Sequence, residues 1–509
     1  MNSQIIPVQI IIPIVVLAGL AIAGFFGINI ANENYTQLSF IAIGSCVLAW
    51  SIVGRKIWWL PIFFFSFLGG HFFFGFKIYA TELAVLVCLL PLILALAMKR
   101  EHFKNRNFGI PRPVGILFLY LCLNFLACAV HNKVEELGGL GGVTRVYLAA
   151  LWPFLIFLPF LLVGNTKYIP WALHLMASAI LIRFSIGMYT ALFCDEDTIL
   201  FIPGVNFIPA GGFGTNDLRF SGSMLCTLAV CYFCVYRIFI VRCVMLALIL
   251  VGVYGTFLGG GRVPIVLLLG IFVFAFLVYR RYGLILLSTI LLLCATVALN
   301  SFPEVLQEFP KTIKKACTVF LIDRNLATDT SEAASSDEWH YRLMKEGYKA
   351  WTENGLTILF GKGTRPFDIR AWGGGKDFEG MIEMAVATNR YESGLWTILC
   401  TFGLVGFVLY SILLLMIIGY CVPVLQREKI KTPVHAIMFI AVYGCLSWFL
   451  LCWIAGGFPS TEILFGVIAM VAGHDMMGLR VGGKVESGKR KVEALESEDL
   501  NAEKLRAET

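Results

Sequence analysis

Charge is the first thing this chain lacks. Only 14% of its 509 residues are Asp, Glu, Lys or Arg, where soluble domains carry roughly a quarter. Clusters of His and Cys at metal-ligand spacing are missing too, so no metal is expected. No GxxxxGK[ST] stretch occurs, which excludes a nucleotide-binding P-loop, and no cofactor is expected. No internal or inverted repeat is visible, which argues against the build of many transporters. Basic residues are also missing ahead of the first apolar block, which follows Met1-Asn2-Ser3-Gln4. That block is longer than the apolar core of a signal peptide, so it reads as a retained helix.

What is present is apolar. Hydrophobic residues make up 58% of the chain and fall in blocks of the length that crosses a bilayer as a helix, roughly 20 residues. The expected spans are 5–30, 38–53, 57–75, 82–98, 114–130, 145–163, 168–193, 221–240, 243–259, 263–279, 284–300, 393–420, 433–455 and 462–478. The second is the weakest, and thirteen or twelve spans are the alternative counts. The fold class expected is an all-α polytopic membrane protein of about fourteen transmembrane helices, with a large loop between helices 11 and 12. Its parts are helices 1–11 over residues 1–300, a loop domain over 301–392, helices 12–14 over 393–478 and a charged tail over 479–509.

Orientation follows from where short loops keep their cations. With the N-terminus inside, the cytoplasmic loops hold Arg55-Lys56, the basic run from Lys99 to Arg106, Lys167, Arg237 and Arg242, Arg280-Arg281, and Arg427 with Lys429 and Lys431. The opposite loops hold isolated cations at Lys77, Lys133, Arg145, Arg219 and Arg262. Both termini are therefore expected in the cytoplasm, and the tail composition reads as disordered. The net charge of +7 is then largely this bias, and a nucleic-acid partner is not implied. Most of the fifteen cysteines lie in apolar spans, where each acts as a small hydrophobe. Cys194 and Cys317 fall in outward loops, as a pair or as free thiols.

Two outward loops stand out, about 194–220 and about 301–392. In the second, Ser335 and Glu338 have capping-box spacing and predict a helix running to Glu353 and stopping at Asn354-Gly355. Trp339, Leu343 and Ala350 form its apolar stripe, and Arg342, Lys345 and Lys349 a cationic face. Gly361-Lys362-Gly363 and Gly373-Gly374-Gly375-Lys376 follow, and glycines beside cations let backbone N–H groups approach an anion. Arg183 lies inside the seventh span, where a charge costs roughly 2.5–3.5 kcal/mol on insertion scales, so it is either a functional group or a snorkelling boundary residue. Arg219 opens the eighth span, as a ligand group or as an interfacial anchor. Arg262 follows Gly259-Gly260-Gly261 at a tight outward turn. Arg342 is either a site residue or the i,i+4 partner of Glu338, and His340 and His71 read as ordinary polar residues. Arginine suits phosphate because its planar fork donates two parallel hydrogen bonds. Several arginines on one outer face thus suit a lipid carrying a diphosphate.

In order, these segments resemble the O-antigen polymerase and O-antigen ligase superfamily of bacterial cell-surface glycan enzymes. The resemblance rests on Arg219-Phe220-Ser221-Gly222, on Gly260-Gly261-Arg262, and on Arg342, Trp351 and Phe360-Gly361-Lys362-Gly363. It continues through Tyr391-Glu392-Ser393-Gly394-Leu395-Trp396 and Gly403-Leu404-Val405-Gly406, and covers roughly 215–415. Ligases of that family usually carry His-Asn where Tyr391-Glu392 stands. The resemblance implies a glycosyltransferase of the inner membrane that polymerises polyprenyl-diphosphate-linked repeat units of O-antigen, capsule or exopolysaccharide on the periplasmic side. A ligase is the alternative, and a transporter or non-catalytic assembly subunit the alternative of another class. On this resemblance Glu392 is the catalytic base and Arg342 orients the donor, while Arg219, Arg262 and Arg183 hold the diphosphate. Trp351 and Tyr391 then contact glycan. The partners implied are the polyprenyl-diphosphate-linked glycan, membrane lipids, and a chain-length regulator or other polysaccharide-assembly proteins.

The charge pattern makes a direct prediction. Alkaline phosphatase fused after Ser335 is expected to be active, and the same enzyme fused after Lys104 inactive; the reverse pattern overturns the assigned sides.

Overall fold

A computed structural model describes residues 57–73, 77–97, 109–131, 140–163, 166–193, 200–202, 205–208, 215–302, 330–363, 378–388, 391–453 and 459–474, with isolated positions at 45, 50, 304, 305, 308, 309, 313, 314, 317, 320–322 and 476. The first span, most of the second, the basic run near residue 100, Cys194, the Gly373-Gly374-Gly375-Lys376 stretch and the tail lie outside the described residues. Six described helices are long and apolar enough to cross a membrane, and five shorter apolar helices accompany them. The chain is therefore a helical, multi-pass membrane protein in its composition and build. It divides into two compact units, residues 1–102 with 175–221, and residues 103–174 with 222–509.

The first unit departs most from expectation. The apolar run 57–75 is not one helix. Helix α1, Pro61–Leu68, has eight residues, about 12 Å at 1.5 Å per residue, far short of a bilayer core. Proline at its first turn is preorganised for the helix, and the chain leaves it at Gly69. It then enters strands β1 (His71–Phe73) and β2 (Lys77–Tyr79) before helix α2, Ala80–Ala97. Two further strands, β3 (Leu200–Ile202) and β4 (Val205–Ile208), lie much later in the chain. The four form an antiparallel sheet of order β2-β1-β4-β3, with His71 opposite both Tyr79 and Ile208. The described residues are otherwise overwhelmingly helical, as expected, and this small sheet is the one addition, joining residues 71–79 to residues 200–208.

The following helices are α3 (Arg112–His131), α4 (Leu140–Val163), α5 (Ile169–Phe193), α6 (Thr215–Val235), α7 (Phe239–Leu258), α8 (Arg262–Val278) and α9 (Tyr282–Ser301). Each falls on an expected span, with ends shifted by a few residues. In the second unit α6 and α7 cross with backbones touching. A Cβ on Gly222 would sit 2.7 Å from the carbonyl oxygen of Gly252, the small-residue contact by which helices associate in a membrane. The glycine of the Arg219-Phe220-Ser221-Gly222 stretch therefore has a packing reason.

The loop domain contains α10 (Thr330–Trp351), α11 (Gly355–Phe360) and α12 (Phe378–Thr388). Helix α10 begins at Thr330, so Ser335 and Glu338 lie inside it and do not form the expected capping box. The stop near Asn354 holds for another reason: its side chain accepts from the Thr357 backbone N–H at 2.8 Å and caps α11. The apolar stripe of α10 is buried as expected. Leu343 and Trp339 pack on Ile382 and Ala385 of α12, while Ala350 meets Tyr391 and Cys400. Cys317 is a buried free thiol packed with Phe257, Leu299 and Ile313, and burial raises its pKa.

Helix α13, Gly394–Glu428, follows, then α14 (Pro433–Leu451) and α15 (Ser460–His474). Helix α13 is interrupted at Gly403, whose φ of 68° and ψ of −172° belong to a region essentially reserved for glycine. The interruption is filled by the segment after α11. The N–H of Lys362 donates to Cys400 O at 2.7 Å, and that of Gly363 to Thr401 O at 3.0 Å. Gly361 is in the same conformation, with φ 76° and ψ 179°. A Cβ on either glycine would strike the other's backbone. From below, the Tyr120 hydroxyl of α3 donates to Phe402 O and, at 3.2 Å, to Phe360 O. Asn124 Nδ2 reaches Phe360 O at 3.0 Å, and Tyr147 of α4 donates to Asn124 Oδ1 at 2.6 Å. The bonds to the carbonyls of Cys400, Thr401 and Phe402 stand in for ones the broken helix gives up.

Alanine at Gly403 combines a forbidden backbone conformation, worth about 1–3 kcal/mol, with a backbone collision. Gly403→Ala is expected to lower the thermal unfolding midpoint in detergent and the folded yield. An unchanged midpoint would show that the break relaxes freely.

Candidate functional site

The two arginines expected at the seventh and eighth spans behave differently. Arg183, on α5, is 7% exposed. Its Nε lies 3.0 Å from both carboxylate oxygens of Asp217, and its Nη2 lies 2.5 Å from Oδ1. Nη1 points to Phe67 O at 3.5 Å. Asp217, fully buried in the first turn of α6, thus neutralises the charge that the span could not carry alone. The sequence contains the signal, an acid at the head of the next span, since an intramembrane arginine needs a partner. The fork expected to hold a diphosphate is engaged within the protein. Arg219, two residues on, is half-buried with its guanidinium 5.0 Å above the Phe220 ring.

In the second unit, Arg262 is the first residue of α8, half-buried after the N-cap Gly261. The remaining candidates gather at one corner of the loop domain. Packing of α10 on α12 sets Arg342 against Glu379, to which its Nη1 donates, while its Nε lies 3.3 Å from Glu338. The i,i+4 pair expected from the sequence is present, and Glu379, 37 residues away, is the partner that helix periodicity does not reveal. The hydrogen bond from Arg342 to Glu379 raises the guanidinium pKa above its ordinary value. Lys349 pairs with Glu346 at 2.6 Å, three residues along the same helix.

Glu392 stands where the loop domain meets α13, with φ at 54°, a left-handed conformation unusual for a residue other than glycine. It carries its carboxylate back onto α10. There the Trp339 indole N–H donates to Oε2 at 3.0 Å, and His340 Nδ1 lies 3.9 Å from the same oxygen. The backbone behind it is anchored. Ser393 Oγ donates to Cys452 O at 2.9 Å, and the Leu395 N–H to the same carbonyl at 2.8 Å. Free donors at the start of α13 thus meet free acceptors beyond the end of α14.

Tyr391 and Trp351 are the residues expected to contact glycan. Tyr391 is 1% exposed and packs with Ala350 and Cys400, so its ring faces protein. Trp351 is half-buried beside Trp396 and donates its indole N–H to Ile358 O at 3.1 Å. Gly361-Lys362-Gly363 does not form an anion cradle. The N–H groups of Lys362 and Gly363 serve α13, that of Gly361 donates to Thr357 O, and Lys362 Nζ donates to Glu353. Among the described residues, no group of three or more His, Cys, Asp or Glu could hold a metal ion.

The Arg183–Asp217 pair can be tested apart from catalysis. Asp217→Asn leaves a buried guanidinium unneutralised and is expected to cost roughly 3–5 kcal/mol, read as lost folded protein. Arg183→Met combined with Asp217→Leu is expected to restore accumulation. Failure of the double variant to accumulate would assign the pair more than a packing role. Compared with models of known protein families and with curated proteins, the chain matches none.

Proposed function

We propose that this protein is a membrane glycosyltransferase that joins repeat units carried on a polyprenyl diphosphate, a polymerase of O-antigen, capsule or exopolysaccharide type acting on the outward face of a bacterial inner membrane. The observation that carries this reading is the corner described above. Arg342 and Glu392, singled out from separate sequence motifs 50 residues apart, lie within one helical turn of each other's contacts on α10. In the proposed reaction an acceptor sugar hydroxyl attacks the anomeric carbon of the donor and the lipid diphosphate leaves. Diphosphate needs its developing charge stabilised, and fixed guanidinium groups do that without reorganisation. Arg262 and Arg342 are the groups of the second unit suited to this. Arg183 supports the fold through Asp217. The acidic corner at Glu392 receives the acceptor.

The reading also rests on the order of motifs shared with the O-antigen polymerase and ligase superfamily. The polymerase is favoured over the ligase by Tyr391-Glu392 in place of His-Asn. One structural feature favours a transporter: an interrupted spanning helix often forms an ion or substrate site. At Gly403, however, the carbonyls of Cys400, Thr401 and Phe402 accept from Lys362, Gly363 and Tyr120. The break here receives the loop domain.

Single replacements Arg219→Ala, Arg262→Ala, Arg342→Ala and Glu392→Gln, expressed at native levels, are expected to leave surface glycan at a single repeat unit when resolved by gel electrophoresis. A normal glycan ladder in all four variants overturns the enzyme reading. Polymer accumulating on the lipid carrier indicates a ligase.

A further inference from the structure

The corner that holds Glu392 contains a second titratable group. His340 follows Trp339 on α10 and lies with it against one carboxylate oxygen, Nδ1 at 3.9 Å and the indole Nε1 at 3.0 Å. The two side chains keep substantial exposure, 38% for His340 and 56% for Glu392, so the pair is accessible from outside. Two features separate it from a casual surface contact. Glu392 is held in a left-handed backbone conformation that turns it back toward α10. The adjoining residues on both sides are buried: Tyr391 in the core shared by α10 and α13, and Ser393 on the carbonyls of Cys452 and Trp453. The carboxylate is consequently presented on a fixed mount, and the indole bond fixes which oxygen faces the imidazole.

We infer that His340 is the proton acceptor of the reaction and that Glu392 is its positioning residue, an inference that rests on the glycosyltransferase reading. A carboxylate beside Nδ1 selects the tautomer with hydrogen on that nitrogen, which leaves the lone pair on Nε2 for substrate. Imidazole is also the side chain whose ordinary titration range matches proton transfer at neutral pH. In the step proposed, the acceptor hydroxyl oxygen forms a bond to the donor's anomeric carbon. The bond from that carbon to the diphosphate oxygen breaks, and its electron pair leaves with the lipid diphosphate. The hydroxyl proton passes to His340 Nε2, and the imidazolium is held by Glu392 until the proton returns to water. The separation of 3.9 Å is ion-pair distance, and closing it by about 1 Å gives a hydrogen bond of the usual length. Arg342, two residues along α10, is bound to Glu338 and Glu379, so it leaves the Glu392 carboxylate to His340 and Trp339.

The experiment uses membranes containing the full chain and, as probe, lipid-linked oligosaccharide extracted from cells of the source organism whose own copy of the chain has been removed. Elongation is followed for the wild type, His340→Ala, His340→Gln, Glu392→Gln and the double variant His340→Ala with Glu392→Gln, each at matched folded amount. His340→Ala and His340→Gln are expected to lose about 100-fold or more in rate, and added imidazole is expected to restore part of the activity of His340→Ala alone. Glu392→Gln is expected to lose less, and to cost little further once His340 is gone, because the two act as one unit. Wild-type rates in both His340 variants overturn the inference while leaving the glycosyltransferase intact. So does a loss in Glu392→Gln as deep as in His340→Ala, with no imidazole recovery and independent effects in the double variant; Glu392 would then be the base. No elongation by the wild-type chain overturns the parent reading, and this assignment with it.

Discussion

The joining of the loop domain to helix α13 in the second unit hangs on one backbone splice. Helix α13 gives up its own hydrogen bonding at Gly403, and the segment Gly361-Lys362-Gly363 takes the freed positions. Hydrocarbon cannot satisfy a loose carbonyl, so a broken spanning helix is tolerated only where protein supplies the missing partners. Here they come from Lys362 and Gly363 of the loop domain and from Tyr120 of α3. Side chains cannot approach this closely, which is why both strands of the splice need glycine where they touch. The direction of α10 and the reach of Glu392 toward it follow from this join and from the contacts of Ala350 and Tyr391 beside it.

Much of the architecture was legible in the hydrophobic pattern. Residues 82–98 became Ala80–Ala97, and 284–300 became Tyr282–Ser301, because burial in lipid needs only sustained apolarity. The same measure failed over 57–75. A run rich in phenylalanine is as apolar in a strand as in a helix, and the turn at Gly69-Gly70 is decided by pairing with Val205–Ile208, far away in sequence. Gly403 was visible as a motif glycine, but its conformation depends on a segment 40 residues earlier. The capping box at Ser335 shows the converse: local chemistry was right for a helix start, yet α10 continues back to Thr330.

The charged residues divide along similar lines. Burial forces pairing, so Arg183 and Asp217 are bound to each other whatever else the protein does. At the exposed corner, solvent lets Arg342 choose among Glu338 and Glu379, and such pairs contribute little to stability. They keep the guanidinium directed without holding it strongly. His340 reads as an ordinary polar residue in the sequence because its neighbour Glu392 is supplied by another element through an unusual φ, which no local pattern encodes.

The small sheet has a consequence for how the chain is made. Strand β1 must wait for β4, and four helices, α2 to α5, are synthesised between them. At about 5–20 residues per second, β1 and β2 spend seconds as an isolated two-stranded ribbon, which is marginal in water, with unpaired edges open to other chains. Membrane insertion of the intervening helices is then also the step that delivers the missing edge. A stalled insertion would leave this ribbon as the site most exposed to faulty association.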